Sequence, residues 1–379
     1  MRRGIRVGES EGSHTPQTGE EQSKMEKPRL LRGHKGTVTC CIASRARPGI
    51  LVSSGEDGRI CWFDLRCKDA PFTVDVGTEP ITSLCFKAGN EDVLYGSLGT
   101  EIIGFDIHMA SSMKRLESYN HNKEEINQIA FSPKSSFLAA ADDSGETKII
   151  DAHQKSLYKT LRSVHNNICS SVQFLSWRPW LAVTGGLDSK LVLWDFSKGR
   201  AQNIIDFATP NPGSHKTFSD PGQCFNPPFV HSIAISEAEI ATGLEKIGAI
   251  ARGDGVVEVI DIESDFTRLK EKASSSSQDQ PKSLQLDYRL GGHTAAVASV
   301  CFSLFGERGK FIISGGDDAL IKVWDWSKHL RIEEKASKEH LVWTITLKEK
   351  VNWLCTTTMD SQNLVVCDTS KVMKIYTVL

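Results

Sequence analysis

Two sets of polar residues in this chain have the residue types of a Ser-His-Asp catalytic triad. They recur at matching offsets and comprise His165, Thr184, Asp188 and Trp194, and then His293, Ser314, Asp318 and Trp324. A catalytic site has no reason to be duplicated in one register. The repetition favours a structural role, in which these polar groups satisfy one another's hydrogen bonds in the interior. A third set has Phe63 in place of the tryptophan and should be one bond short; its other members are His34, Ser53 and Asp57.

The other residues that could support catalysis or metal binding fit structural roles better. The acidic pairs Asp142-Asp143 and Asp317-Asp318 fall where a turn between two strands is expected, and aspartate is typical of such turns. None of the ten cysteines forms a CxxC pair. Most of them lie in apolar runs, where a thiol behaves as a small hydrophobic group. We therefore predict no enzymatic activity, no metal site and no cofactor.

The composition of the chain restricts its classes of partner. The 379 residues include 45 Lys and Arg against 47 Asp and Glu, a formal net charge of −2. Proteins that bind nucleic acid or membrane surfaces need a broad basic field, which this balance does not provide. No stretch approaches the roughly 18 apolar residues of a membrane span, and the first residues lack the apolar core of a secretory signal. We predict an intracellular protein, in the cytoplasm and/or the nucleus, with protein partners.

A strand-like pattern recurs seven times and indicates how the polar sets are positioned. The copies begin at Val38, Ile81, Ile126, Ile168, Val230, Val297 and Val351. Each is followed by a β-rich run, and six of these runs end in Asp64, Asp106, Asp151, Asp195, Asp261 and Asp325. The first four runs are spaced by roughly 40–45 residues, the period of a four-stranded propeller blade. The later runs are farther apart because of polar insertions at 206–229, 270–285 and 328–340, which we predict to be loops.

These repeats resemble the repeats of the WD-repeat family over residues 28–379. The most specific copies contain RGHKGTVTCCIAS, VHNNICSSVQF and GGHTAAVASVCFS, whereas copies two, three, five and seven are degenerate. The resemblance implies an all-β fold with a single seven-bladed β-propeller that serves as a platform for protein–protein interaction. The last copy lacks a fourth strand, so Pro28 to Leu31 should complete that blade and close the ring. Residues 1–27 are predicted to be a disordered tail, of which residues 1–24 should add nothing to stability.

A more specific hypothesis comes from the end of the third strand of the first copy, which contains Phe63, Asp64 and Arg66. These residues resemble the WDxR box with which some WD-repeat propellers dock on damaged-DNA-binding protein 1, the adaptor of cullin-4 ubiquitin ligases. The resemblance implies a substrate receptor of such a ligase, with Arg66 as the main adaptor contact and an unidentified client. Phe63 departs from the usual tryptophan. The alternative is a general WD-repeat scaffold subunit of an intracellular complex, with Arg66 merely solvated.

The same resemblance places the first strands along a central channel and the loops that lead into them on one rim. Polar or aromatic residues there are candidates for binding a partner protein: Glu124, Glu125, Asn127, Asn166, Asn167, His231, Lys350, Asn352 and Trp353. A solvated loop or a plain channel lining explains such residues equally well. We expect a monomeric propeller with neither a membrane nor a nucleic acid as its partner.

Overall fold

The computed structural model describes residues 27–68, 70–108, 113–209, 224–236, 246–264, 266, 283–327 and 340–378. The regular secondary structure of these residues is almost entirely β, and its strands form seven four-stranded antiparallel sheets, the blades of a propeller. A turn of 3-10 helix at Tyr288–Leu290 leads from blade five into blade six. None of the helices in the described ranges is long and apolar enough to cross a membrane.

The first strand of the chain is β1 (Arg29–Arg32), and three blades follow it in order. Blade one consists of β2 (Val38–Ala43), β3 (Ile50–Gly55), β4 (Arg59–Asp64) and β5 (Phe72–Asp75). Blade two consists of β6 (Ile81–Lys87), β7 (Asn90–Leu98), β8 (Glu101–Asp106) and β9 (Lys114–Tyr119). Blade three consists of β10 (Ile126–Phe131), β11 (Phe137–Asp142), β12 (Thr147–Asp151) and β13 (Ser156–Leu161).

The remaining four blades complete the ring. Blade four consists of β14 (Cys169–Phe174), β15 (Leu181–Gly186), β16 (Lys190–Asp195) and β17 (Arg200–Asp206). Blade five consists of β18 (Val230–Ile235), β19 (Ile247–Arg252), β20 (Val257–Asp261) and β21 (Leu284–Leu286). Blade six consists of β22 (Val297–Phe302), β23 (Phe311–Gly316), β24 (Leu320–Asp325) and β25 (Leu341–Thr346). Blade seven consists of β26 (Val351–Thr356), β27 (Leu364–Asp368), β28 (Val372–Tyr376) and β1.

The N-terminal strand closes the ring, as the sequence predicts. β1 pairs antiparallel with β28, and this pairing places Arg29 opposite Ile375 and Arg32 opposite Val372. The beginning of the described chain therefore supplies the outer strand of the last blade. This pairing ties both ends of the propeller into one sheet and protects the edge that blade seven would otherwise present.

Each first strand contains a bulge, and in five of the seven a polar side chain at the bulge bonds to a backbone carbonyl of the next blade. In β2 the register shifts between Val38 and Cys40, and a shift occurs at the same place in all seven first strands. A bulge leaves one residue unpaired and re-aims its side chain. The bulged residue of β2, Thr39, donates its hydroxyl hydrogen to the carbonyl oxygen of Ile81 at 2.5 Å. Bonds of this kind link consecutive blades around the channel.

The core lies between neighbouring blades, because each sheet is covered on both faces. Strands β3 and β11 are buried along their whole length, and they are accordingly apolar or small at nearly every position. All ten cysteines are free. Burial raises the pKa of Cys61 to about 11 and that of Cys169 to about 12, so both thiols stay protonated at neutral pH. They pack as small hydrophobic groups.

The predicted tail and insertions fall largely outside the described residues. Of the tail 1–27 only Lys27 is described, and of the insertion 328–340 only His340 is described. Two loop boundaries are wrong. Asp206 is the last residue of β17 and not the start of a loop. Residues 284 and 285 of the predicted loop 270–285 belong to β21, which pairs with β20 as the outer strand of blade five. The segment just before this short strand is polar and rich in serine, which is typical of a loop, so the sequence does not indicate a strand there.

Candidate functional site

The two faces of the ring carry different candidate residues. One face, here called the entry face, carries the loops that lead into the first strands and the turns between second and third strands. In blade one these two segments are in contact, because the N–H of Glu56 donates to the carbonyl of Thr37 at 2.9 Å. The opposite exit face carries the loops that follow the first and third strands, and there the N–H of Leu65 donates to the carbonyl of Gly49 at 2.8 Å. Antiparallel pairing enforces this alternation.

The duplicated polar sets are continuous hydrogen-bonded chains in blades four and six. In blade four, His165 Nδ1 lies 2.9 Å from Asp188 Oδ1, and Nε2 lies 2.8 Å from Thr184 Oγ1, which also accepts the indole N–H of Trp194 at 2.8 Å. In blade six, His293 Nδ1 lies 3.0 Å from Asp318 Oδ1 and Nε2 lies 2.8 Å from Ser314 Oγ. The same hydroxyl oxygen accepts the indole N–H of Trp324 at 2.9 Å. Both hydroxyls are buried and bonded on two sides. They connect a turn, two strands and a loop, and they are not open to a substrate.

Blade one contains the shorter chain that the sequence predicts. His34 lies 3.0 Å from Asp57 and 2.8 Å from Ser53, while Phe63 is buried in the place of the indole donor. Burial lowers the pKa of His34 in spite of the hydrogen bond and charge of Asp57, which act in the opposite direction. The imidazole is therefore neutral at pH 7 and serves as a structural connector.

Blade five is held by an ionic network that sequence reasoning missed. The guanidinium of Arg252 makes two bonds to Asp254, from Nε at 3.0 Å and from Nη2 at 2.5 Å, and Nη1 donates to Glu258 Oε2 at 2.5 Å. The same guanidinium lies 4.9 Å from the ring centre of Phe207. All three charged residues are buried. A search for His, Ser and Asp at fixed offsets cannot find a network that replaces that set with other residue types.

The WDxR-like box ends β4 and directs Arg66 into solvent on the exit face. Phe63 packs in the core, whereas the side chain of Arg66 is 61% exposed. Asp64 accepts the backbone N–H of Arg66 at 2.9 Å and binds its guanidinium through Nε at 2.9 Å and Nη2 at 2.7 Å. These hydrogen bonds from Arg66 lower the pKa of Asp64, so the carboxylate is charged at neutral pH. The guanidinium thus projects as predicted, but Asp64 already holds it.

The aspartate of this box has a structural role that other blades share. The third strands of blades one to six all end on the predicted aspartates. Their carboxylates accept hydrogen bonds from the turn that follows; Asp106 accepts the N–H of His108 at 2.9 Å, and Asp195 accepts the hydroxyl of Ser197 at 2.5 Å. The aspartate is thus a turn-forming residue, and the arginine two positions later occurs in blade one alone among these six.

The closing strand clamps the turn that carries Arg66. Arg29 of β1 donates from Nη1 to the carbonyl of Leu65 at 2.6 Å and from Nη2 to the carbonyl of Cys67 at 2.5 Å. These carbonyls flank Arg66. Arg29 also bonds to Gln362 of blade seven at 2.7 Å. The placement of Arg66 therefore depends on ring closure, and no local sequence signal marks Arg29 for this role.

Five of the predicted partner-binding residues lie in exposed loops of the entry face: Glu124, Glu125, Asn166, Asn167 and Lys350. Lys350 Nζ lies 3.1 Å from Asp317 Oδ2 in the neighbouring blade. Surface ion pairs of this kind contribute about 1 kcal/mol or less, so a partner can compete for them. These residues stay predicted contacts.

Three other rim residues occupy the bulge positions of their first strands: Asn127, His231 and Asn352. The amide of Asn127 donates to the carbonyl of Cys169 at 3.2 Å, and that of Asn352 donates to the carbonyl of Val38 at 3.4 Å. Burial lowers the pKa of His231. Their rim role stays a prediction, and a partner would have to compete with the bonds that link the blades.

Trp353 lies in the wall of the channel. It follows the bulge by one residue, so the pleat turns its ring toward the interface with blade one, where Nε1 donates to the carbonyl of Cys41 at 2.9 Å. The ring lines a cavity of about 270 Å³ in the channel, near the ends of the first strands. Arg45 and Arg308 line the same cavity. Trp353 is a channel-wall residue toward the exit face.

The polar sets are expected to make stability depend on pH. Burial alone would raise the pKa of Asp188 and Asp318, but the hydrogen bonds and charge of His165 and His293, together with bonds from backbone N–H groups, outweigh it and hold both pKa values below the ordinary range. The unfolded chain then binds protons more readily than the folded chain in acid. The free energy of unfolding should therefore fall as the pH drops from about 5 to about 3, as urea unfolding at each pH would measure.

Single amide substitutions test this pH dependence. Asp188→Asn or Asp318→Asn should lower the free energy of unfolding at pH 7 and make its decline in acid shallower, since a group that cannot titrate no longer contributes. Asp360→Asn, at an exposed carboxylate, serves as the control. Slopes that match the wild type in both test variants would refute the assignment.

Comparison with known proteins identifies the repeats. The family model described as "WD domain, G-beta repeat" matches residues 25–64, 113–151, 155–195 and 284–325. Each match contains the outer strand of one blade and the first three strands of the next, which are blades one, three, four and six. Blade three is thus recognisable as a WD repeat, although its sequence reads as degenerate. These four segments are WD repeats, and the fold of the chain is that of a seven-bladed β-propeller.

Similarities to particular proteins extend over different shares of the chain. The WD repeat-containing protein 53 homolog of Dictyostelium discoideum is 27% identical over 92% of this chain and 93% of its own length, which confirms a resemblance to WD repeat-containing protein 53 that strings such as NNICSSVQF and EKVNWL indicate. The GATOR2 complex protein WDR24 of Danio rerio is 24% identical over 49% of this chain and 24% of its own length. The crystal structure of the WD40 β-propeller domain of Doa1 has a TM-score of 0.65 and 14% identity, over 93% of this chain and 96% of that one. That likeness shows the fold alone.

Proposed function

We propose that this WD-repeat protein, a platform for protein–protein interaction, is a substrate receptor that docks on damaged-DNA-binding protein 1 in a cullin-4 ubiquitin ligase. One observation carries the specific role: Arg66 projects from the exit face on a turn that Asp64 and Arg29 hold. A guanidinium offers a planar fork of donors for a carboxylate or for backbone carbonyls. Because the turn is already ordered, docking would lose little conformational entropy.

The second candidate is a general WD-repeat scaffold subunit of an intracellular complex. It is favoured by the bonds from Nε and Nη2 of Arg66 to Asp64, which satisfy the guanidinium without a partner. The similar protein WDR24 is named as a GATOR2 complex protein. For both candidates we propose a location inside the cell, in the cytoplasm and/or the nucleus. Ten free cysteines fit a reducing compartment.

Co-purification with the adaptor separates the two candidates. Arg66→Ala should reduce recovery of the adaptor roughly tenfold or more, because truncation of a central interface arginine commonly costs about 2 kcal/mol or more. The matched control is Arg162→Ala, which removes an exposed arginine just after β13, on the entry-face side. Equal recovery of the adaptor with Arg66→Ala and with the wild type would refute the receptor role of this box.

The clamp offers a second variant in the same assay. Arg29→Met removes the bonds to the carbonyls beside Arg66 while it keeps an unbranched side chain, so adaptor recovery should fall in the same direction but less than with Arg66→Ala. Arg32→Met alters an exposed arginine of the same strand and is the control. Hydrogen exchange should be faster at residues 65–67 in Arg29→Met alone. Unchanged exchange there would show that the clamp does not hold the turn.

A further inference from the structure

The exit face carries a second surface, at the boundary between blades three and four, that the docking box does not explain. We propose that this basic aromatic patch binds an acidic, extended segment of a partner protein through an apolar anchor on its rings. The patch consists of Tyr158, Trp180, Lys155, Lys159, Lys198 and Arg200. It stands independently of Arg66, which lies in blade one.

Two large aromatic rings of the patch are open to solvent. Trp180 is 47% exposed and Tyr158 is 38% exposed, and their ring centres lie 6.5 Å apart. Both rings rest on the buried ring of Phe137, at 5.7 and 4.8 Å. Together the two rings form a shallow apolar surface that is supported from below by Phe137. Exposed aromatic groups of this kind are the residues that most often carry the binding energy of protein interfaces.

Backbone hydrogen bonds and a proline hold the loop that presents Trp180. The N–H of Leu181 donates to the carbonyl of Arg178 at 3.0 Å, and the N–H of Phe196 donates to the carbonyl of Trp180 at 3.1 Å. Between Arg178 and Trp180, the pyrrolidine ring of Pro179 restricts the backbone further by fixing its φ angle. The tryptophan is therefore held in place before any ligand arrives, which lowers the entropic cost of binding.

The polar atoms of the two rings are available to a ligand. Within the described part of the chain, no hydrogen bond engages the indole N–H of Trp180 or the hydroxyl of Tyr158. An aromatic ring with an apolar body and an unused donor suits a peptide, whose backbone carbonyls can accept from it.

The charge around the rings is positive toward solvent. The side chains of Lys155 and Lys198 are 64% and 72% exposed, whereas the carboxylates they pair with, Glu117 and Asp195, are largely covered. Lys159 Nζ lies 5.7 Å from the ring centre of Tyr158. The acidic residues of the segments 151–159 and 195–200 are Asp151 and Asp195, and both accept hydrogen bonds from the backbone of the turns that follow them. A negatively charged partner is the electrostatic complement of this surface.

A peptide fits these observations better than single-stranded nucleic acid. Nucleic acid needs successive bases stacked on open rings along a basic groove. Here Trp180 packs against Phe137 and Phe196, the latter at 5.6 Å, and Lys159 lies over the ring of Tyr158. This arrangement leaves space for one anchor side chain, such as a proline, flanked by cations. The chain as a whole is also near neutral.

Fluorescence polarisation at low salt tests the proposal, with a labelled peptide of alternating glutamate and proline as the probe. Trp180→Ala should weaken binding by about tenfold or more, and the double variant Lys155→Ser/Lys198→Ser should weaken it by about three- to tenfold and reduce its salt dependence. Phe225→Ala, at an exposed aromatic residue outside the patch, is the control and should bind as the wild type does. Melting temperatures verify that each variant is folded.

Three outcomes would overturn the proposal. The first is no binding of the acidic peptide, and the second is equal binding by the wild type and both patch variants. The third is binding of labelled oligothymidine through the same residues with higher affinity than the peptide, which would make the patch a nucleic-acid surface. The lysine double variant keeps the test valid if Trp180→Ala fails to fold, since both lysines are solvent-exposed.

Discussion

Arg252→Met should destabilise the protein by about 3–5 kcal/mol, the usual cost of breaking a buried ion pair by removing one partner. The substitution keeps most of the side-chain volume but leaves the carboxylates of Asp254 and Glu258 buried without the guanidinium that binds them both. The desolvation of two carboxylates that have lost their guanidinium partner, and not the loss of packing, then dominates the change in stability. Urea unfolding at pH 7 measures the loss directly.

Companion variants separate this explanation from a simple packing defect. Replacement of all three charges, in Arg252→Met/Asp254→Asn/Glu258→Leu, should recover much of the lost stability, because the network's own buried charges are then removed together. Arg162→Met alters an exposed arginine and should change the free energy of unfolding by no more than about 0.5 kcal/mol. A loss below about 1 kcal/mol in Arg252→Met would contradict the network as a stabilising element of blade five.

The second large effect is expected at Trp324, which is fully buried between blades five and six. Trp324→Ala should cost about 3–5 kcal/mol, because it opens a cavity and removes the indole donor that bonds to Ser314 at 2.9 Å. Trp324→Phe keeps most of the apolar volume and should cost less, about 1–2 kcal/mol, mainly through the lost hydrogen bond. Blade one already has this arrangement, with Phe63 beside His34 and Ser53.

Thermal and urea unfolding of both variants would measure this difference. Trp180→Ala, at a half-exposed tryptophan, controls for the loss of an indole as such and should cost much less than Trp324→Ala. Equal destabilisation by Trp324→Phe and Trp324→Ala would mean that the hydrogen bond, and not the packing, dominates at this position.

Most of the architecture could be predicted from local spacing. The starts of the seven first strands are predicted within one residue, as β14 shows by beginning at Cys169 where the pattern begins at Ile168. The reason is that a propeller repeats one local unit, so an error in one copy is corrected by the others. Where the repeat weakens, prediction fails, because the three residues of β21, beside a polar insertion, carry too little pattern to be recognised as a strand.

The candidate site was predictable only in part. Phe63, Asp64 and Arg66 are neighbours in sequence, so the box could be found, but the bonds from Asp64 back to Arg66 could not. The strand that carries Trp353 could be placed from the sequence, but the bulge before this residue, which sets the direction of its ring, could not. One residue of register turns a side chain to the other side of a strand.

Local sequence was sufficient to determine the number of blades, the closing strand and the hydrogen-bonded sets of blades four and six, because each of these features repeats or lies within one blade. Only the folded ring decided which distant residues meet. Arg29 reaches Leu65 and Cys67 because ring closure brings the first strand beside blade one. Tyr158 meets Trp180 because blades three and four pack side by side. Contacts between blades depend on how whole sheets are placed, and no local pattern encodes that placement.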